Sequence, residues 1–294
     1  MRRRLPSLRD GDLIGLAAPA SPFDKDLFRQ GVKNIQRIGF AARYRQDIFS
    51  RQGYLAGPDR RRAGELNRLF ADPKVKAILA VRGGYGSSRI IPYLDEKVIR
   101  NNPKLLIGYS DMTLLQLYLW KRFGLPSLHG PMLLPHFCAR NSGFYLKRVA
   151  SFLRGERLVI PLKKGQFLQR GKAKGLLIGG CLSLIVGTLG TPFEIDTDGA
   201  ILFFEDTGEK PYAVDRMLSH LKNAGKFKKL KGLLIGCFPP PFLKVFKGYF
   251  KEVKGPVVFG LPFGHASHPV LLPVGVMASL DSKTSRLVFK NPFS

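Results

Sequence analysis

Short apolar runs alternate with helix-periodic stretches through the first half of the chain. Leu13 to Ala18 reads as a strand, Lys25 to Ile38 as a helix, Lys76 to Val81 and Leu105 to Ile107 as strands, and Met112 to Trp120 as a helix. This alternation predicts α/β architecture: a largely parallel sheet with helices on both faces and sites beyond the carboxyl ends of its strands. Arg82-Gly-Gly-Tyr-Gly86 and Gly108-Tyr-Ser-Asp111 each follow a strand directly, so both are expected on the same rim. Downstream, a modest helix over Phe144 to Leu153 and a Lys/Gly/Gln-rich stretch read as a connection. The pattern then resumes with a buried segment around Leu182 to Val186, strands over Ile201 to Phe204 and Leu230 to Ile235, and β-rich sequence to the end. Between those strands Pro211 to Ala224 forms the best-defined helix, with Pro211 at N1, Val214, Met217, Leu218 and Leu221 on one face, and Gly225 as C′. The expected organisation is an N-terminal α/β domain over 1–140, a linker over 141–170 and a smaller, β-rich α/β domain over 171–294.

At 294 residues with 45% hydrophobic content the chain can bury two cores. Its charge is unusual: 48 Lys and Arg against 21 Asp and Glu leave +27. Such a balance attracts polyanions, nucleic acid first among them. Yet the basic residues are spread over Arg2 to Arg4, Arg60 to Arg62, Lys163 to Lys174, Lys222 to Lys231 and Lys244 to Lys254, without an arm or an aromatic-interleaved face. A solvated basic surface suited to acidic substrates is the expectation, with no specific nucleic-acid partner. Cys138, Cys181 and Cys237 form neither a metal spacing nor a disulfide framework. Asp10 and Asp12 interrupt the basic start, and its apolar run is too short for a secretory signal, so a cytoplasmic protein is expected. Gly175 to Phe193 lacks Lys and Arg, but its glycines, Thr188, Thr191 and Pro192 argue against a membrane span.

The segment Leu105-Leu-Ile-Gly-Tyr-Ser-Asp-Met-Thr113 carries the most chemistry. A strand that stops at Gly108 and turns sharply into a helix lifts the Ser110 hydroxyl clear and brings N–H groups to where an oxyanion would form. The pattern ends in Met112 where the usual elbow ends in glycine, and an ordinary helix cap explains the same residues. A serine nucleophile needs a base and a group that orients it. Of five histidines, His220 lies on an exposed helix face and His136 in a loop after Pro135; beside His268, this leaves His129 and His265 as candidate bases, the latter in a Gly/Pro-rich turn. His265 and His268 lack the third ligand of a metal motif, so no metal or cofactor is expected. Glu205 and Asp206, at a strand end, are the candidate orienting acids. The loop from Arg82 lacks both the P-loop ending and the G-x-G-x-x-G spacing; beside Ser110 it offers an oxyanion N–H from Gly84, with Arg82 for a substrate carboxylate.

Together the motifs resemble the serine LD-carboxypeptidases, or muramoyltetrapeptide carboxypeptidases, with the related microcin-immunity peptidases. The resemblance spans nearly the whole chain. It rests on Gly11-Asp12 with Ala17-Ala-Pro19, the Arg82 and Gly108 segments with Thr113, His129-Gly-Pro-Met132, Gly179-Gly-Cys-Leu-Ser183 with Gly190-Thr-Pro192, Phe204-Glu-Asp206 with Tyr212 and Asp215-Arg-Met217, and Gly264-His265 with Leu272-Pro-Val-Gly275. It implies an N-terminal flavodoxin-like domain, a homodimer, and cleavage of the terminal D-alanine from murein tetrapeptides in peptidoglycan recycling. It also implies Ser110 as nucleophile, His265 as base, Glu205 as its orienting carboxylate, and the N–H groups of Gly84 and Asp111 as oxyanion hole. The immunity branch implies hydrolysis of peptide–nucleotide antibiotic conjugates instead. A non-catalytic polyanion binder on the same fold is the reading from another class. One departure is Cys181, which stands where the family usually has Asn.

Overall fold

The computed structural model describes residues 4–139, 142–239 and 241–293, so Arg2, Arg3 and Arg140 of the segments above lie outside the described residues. Among these residues the strands are β1 (Leu13–Ala17), β2 (Ala41–Arg43), β3 (Val75–Ala80), β4 (Leu105–Gly108), β5 (Ser127–His129), β6 (Val159–Pro161), β7 (Phe167–Gln169), β8 (Lys172–Cys181), β9 (Ala200–Glu205), β10 (Gly232–Ile235), β11 (Val257–Phe259), β12 (Leu272–Val274), β13 (Val276–Asp281) and β14 (Arg286–Phe289). They form two sheets. The first runs β12-β5-β4-β3-β1-β2 and is parallel except at β12. Its five parallel strands have the order 2-1-3-4-5, the flavodoxin-like arrangement. The second runs β6-β14-β13-β8-β9-β10-β11-β7, with β8 to β11 parallel and antiparallel strands at both sides.

Local sequence explains the elements that carry the site. β1, β3 and β4 are almost wholly buried apolar runs, as central parallel strands covered on both faces require. The helix Lys25–Arg37 starts at Asp24, whose carboxylate accepts the N–H groups of Asp26 and Leu27 at 2.9 and 2.8 Å. The helix Met112–Phe123 ends at Gly124 in the left-handed conformation, φ 61°.

Two segments differ from expectation. The stretch expected as a linker contributes edge strands β6 and β7 to the second sheet; three-residue strands are too short to leave a periodic signature. β12 comes from the C-terminal third yet pairs with β5, placing Leu272 opposite His129, so the first sheet is completed from far downstream. The uncharged run after Gly175 is the buried end of β8 followed by the short helix Leu182–Val186. Among the described residues no helix is long and apolar enough to cross a membrane.

One hydrophobic cluster runs through both sheets. They meet directly behind the elbow, where the Cys181 N–H donates to Thr113 Oγ1 at 3.0 Å. A Cβ on Gly180 would lie 2.4 Å from that same oxygen, so glycine is what lets β8 approach the start of the helix.

Candidate active site

Ser110 lies between the end of β4 and the helix Met112–Phe123 with φ 58°, a left-handed backbone rare for a residue with a side chain. Such strain persists only where the surroundings fix it. Here the turn is closed by the Thr113 N–H on the Ser110 carbonyl at 2.9 Å. Met112 is fully buried, and the space for it is made by Gly108, where a Cβ would stand 2.7 Å from Met112 Cγ. The room that a final glycine gives in the usual elbow is supplied here four residues earlier.

The glycine-rich loop passes over the serine. A Cβ on Gly83 would come within 3.0 Å of Ser110 Cβ and 3.1 Å of its Oγ. Gly84, at φ 115°, has no room at all, because a Cβ there would sit 2.1 Å from Ser21 Oγ. Two buried charged groups hold this loop from behind. The Asp111 carboxylate accepts the Ser87 N–H at 2.8 Å and the Ser87 hydroxyl. Burial pushes its pKa up, against the hydrogen bonds of Ser87 and the charge of Arg62. Arg62 is fully buried, donating to the carbonyls of Gly57 at 3.1 Å and Gly86 at 2.8 Å, to that of Pro19, and to Asp59. Arg62 was read from sequence as part of a solvated basic run. The structure corrects this: five guanidinium N–H groups on one planar fork suit a site that must tie several carbonyls together.

Glu205 and Asp206 separate into two tasks at the end of β9. Asp206 accepts the Ser183 N–H at 2.8 Å and so caps a short helix. Glu205, with a side chain 3% exposed, takes Nδ1 of His265 at 2.7 Å and the His265 backbone N–H at 3.3 Å. Burial lowers the imidazole pKa, but the hydrogen bond and charge of Glu205, with Asp206, outweigh it and the net shift is upward from 6.5. The Tyr109 ring meets the imidazole edge-on at 4.9 Å. Gly264, at φ 71°, supports the carboxylate, since a Cβ would fall 2.2 Å from the Glu205 carboxyl carbon. Gly264→Ala is therefore expected to push Glu205 off His265. The left-handed backbone alone costs about 1–2 kcal/mol; a drop in melting temperature together with loss of turnover, both read on purified protein, checks it.

The remaining histidines sort by burial. His129 is fully buried among Tyr109, Phe203 and Phe263, and burial, with the charge of His265, pulls its pKa down to about 3, so it stays neutral. His136, expected in an ordinary loop, is buried instead. The Met132 N–H donates to its Nδ1 at 3.3 Å, which leaves Nε2–H to donate to the Ala266 carbonyl at 3.2 Å, next to His265. No sequence signal marks this role. Cys181 is buried with Sγ 3.3 Å from Ser183 Oγ, and burial raises its thiol pKa.

Ser110, His265, Gly83, Gly84, Arg82, Tyr109 and Met132 line one cleft of about 320 Å³. The hydrogen bond between His265 and Glu205 is made; none joins Ser110 to His265 in this structure, as is common before substrate binds. Arg82 is exposed, donates to the Pro22 carbonyl at 3.1 Å, and also borders an adjoining hollow with Lys25, Arg51 and Tyr54. No group of three or more His, Cys, Asp or Glu arranged to hold a metal ion occurs among the described residues. The arrangement offers a hydroxyl, an imidazole fixed by a carboxylate, and a glycine loop with accessible amides, which suits acyl transfer.

Residues 14–130 match the LD-carboxypeptidase N-terminal domain and residues 174–280 the LD-carboxypeptidase C-terminal domain. The chain is 36% identical to a probable murein peptide carboxypeptidase of Bacillus subtilis, over 97% of this chain and 93% of that one. It is 30% identical to the murein tetrapeptide carboxypeptidase of Pseudomonas aeruginosa, over 93% and 94%. The solved structure of the microcin C7 self-immunity protein MccF in its wild-type apo state superposes with a TM-score of 0.91 at 25% identity, covering 99% of this chain and 100% of that one. Both halves of the fold and the relatives agree that the chain belongs to the LD-carboxypeptidase family and is a serine-type carboxypeptidase.

Proposed function

We propose that the enzyme releases the terminal D-alanine from murein tetrapeptides through an acyl-enzyme on Ser110, with His265 as base and Glu205 holding it. The observation that carries this reading is the 2.7 Å bond between His265 Nδ1 and Glu205 in the cleft that Ser110 enters from its left-handed turn. With Nδ1–H engaged, Nε2 is the nitrogen that accepts a proton. Ser110 Oγ attacks the carbonyl carbon of the bond to D-alanine as its proton passes to Nε2. The imidazolium returns that proton to the leaving amine, the C–N bond breaks, and D-alanine departs. Water then attacks the ester, giving a proton to Nε2 that finally restores the serine hydroxyl.

The N–H groups of Gly84 and Asp111, which donate to no protein acceptor among the described residues, serve the oxyanion. Arg82, at the mouth of the cleft, pairs with a substrate carboxylate. The reading follows the family in placing the enzyme in the cytoplasm, as a homodimer acting in peptidoglycan recycling. The likeness to MccF over nearly the full chain gives a second reading, hydrolysis of peptide–nucleotide conjugates by the same groups. Incubation with murein tetrapeptide and mass spectrometry of the products decides between them. Tripeptide and free D-alanine are expected; an untouched tetrapeptide beside a cleaved conjugate assigns the immunity-type activity.

A further inference from the structure

Three of the basic runs, separated in sequence, converge at one place. Lys172 and Lys174 from the start of β8, Lys228, Lys229 and Lys231 from the approach to β10, and Lys254 before β11 line a single surface hollow of about 750 Å³. All six are exposed. Lys172 and Lys174 share one face of β8 because strand side chains alternate. The hollow's floor is backbone: Gly199 and Gly255 lie in it, and a Cβ on Gly255 would stand 1.7 Å from the Lys231 carbonyl oxygen. Its carboxylates are few. Asp198 pairs with Lys229 at 2.6 Å, and Asp281 stands opposite Lys172 in register; the other five lysines form no ion pair among the described residues.

The hollow sits at the amino ends of β8, β9 and β10, whereas Glu205 lies at the carboxyl end of β9, roughly 17 Å away at strand rise. It is thus separate from the catalytic cleft. We propose that it binds a chain of phosphates, held by lysine point charges and not through any base. The lining contains no arginine for bidentate readout and no aromatic ring for stacking. Five lysines that form no ion pair among the described residues, around one concavity, create a focused positive potential that a monovalent anion cannot satisfy and a polyphosphate or phosphodiester backbone can.

The test compares two variants of equal charge. Lys174→Gln/Lys228→Gln/Lys231→Gln removes three of the six lysines of the hollow, and Lys244→Gln/Lys247→Gln/Lys251→Gln removes three exposed lysines elsewhere. Binding of short-chain inorganic polyphosphate is measured by fluorescence anisotropy across a salt series, with circular dichroism to verify folding. Each lost phosphate contact reduces the salt slope by about 1, so the hollow variant is expected to lose about 3 in slope and the control variant less than 1. Equal losses overturn the proposal and assign binding to the diffuse field of the whole surface. A single-stranded oligonucleotide and its abasic counterpart form the second arm. Equal affinity is expected, and a clear preference for the base-bearing strand overturns the claim that phosphates alone are read.

Discussion

Ser110→Ala is expected to lower D-alanine release by about 10⁴-fold or more, since the acyl-enzyme route needs this oxygen and the remaining contributions are substrate binding and the oxyanion amides. The fold should be indifferent. The serine hydroxyl makes no hydrogen bond among the described residues, and alanine at φ 58° has the same backbone problem that serine already has. The two effects separate cleanly in measurement: the melting temperature is retained, substrate still binds, and kcat collapses. A variant that keeps more than about a hundredth of wild-type kcat removes Ser110 from the mechanism, because no triad nucleophile is that dispensable.

Glu205→Gln should be nearly as severe, with kcat reduced about 10⁴-fold, because an amide can hold the imidazole in the wrong tautomer and cannot stabilise the imidazolium. The pH profile gives it a signature beyond lost activity. The proposed mechanism needs neutral His265, and the net effect of burial, Glu205 and Asp206 is to lift its pKa above 6.5, so activity is expected to rise with pH through that lifted value. Removing the charge that raises it moves the acid limb of residual activity to lower pH. An unmoved limb would show that His265 is not the titrating base. Stability runs the other way. A raised folded-state pKa stabilises the protein fully below the unfolded value of 6.5, and the contribution disappears as pH rises through the folded value. The pH range that favours the ion pair is the one in which the base is blocked.

The sequence was informative where one local rule sufficed. Apolar runs of three to six residues followed by helical periodicity located β1, β3, β4 and the helix Met112–Phe123, and with them Ser110 and the glycine loop. The pairing of His265 with Glu205 is a contact across 60 positions, which no periodicity encodes; the order of motifs shared with a known family pointed to it. Arg62 escaped notice because a buried guanidinium and a solvated one look alike in a run of three arginines. Asp111 illustrates the same limit: its backbone place was legible, whereas its carboxylate, spent on Ser87 across the loop, was not. The basic hollow was hidden for the opposite reason. Its lysines looked scattered because the parallel strands that gather them begin far apart along the chain.

The downstream edge strand bears on how this molecule is made. β12 pairs with β5 and is separated from β13, a strand of the other sheet, by Gly275 alone, at φ 85° and with Trp120 so close that a Cβ would lie 2.3 Å from its ring. During synthesis, β5 therefore stays an open edge until residues 272–274 have been made. The last strand of the first sheet then arrives on the same ribbon that closes onto β8. Completion of one layer and docking of the other become a single late event, placed after Ser110, Glu205 and His265 have all been made. A chain cut short before Leu272 would carry Ser110 in a sheet that lacks its last strand.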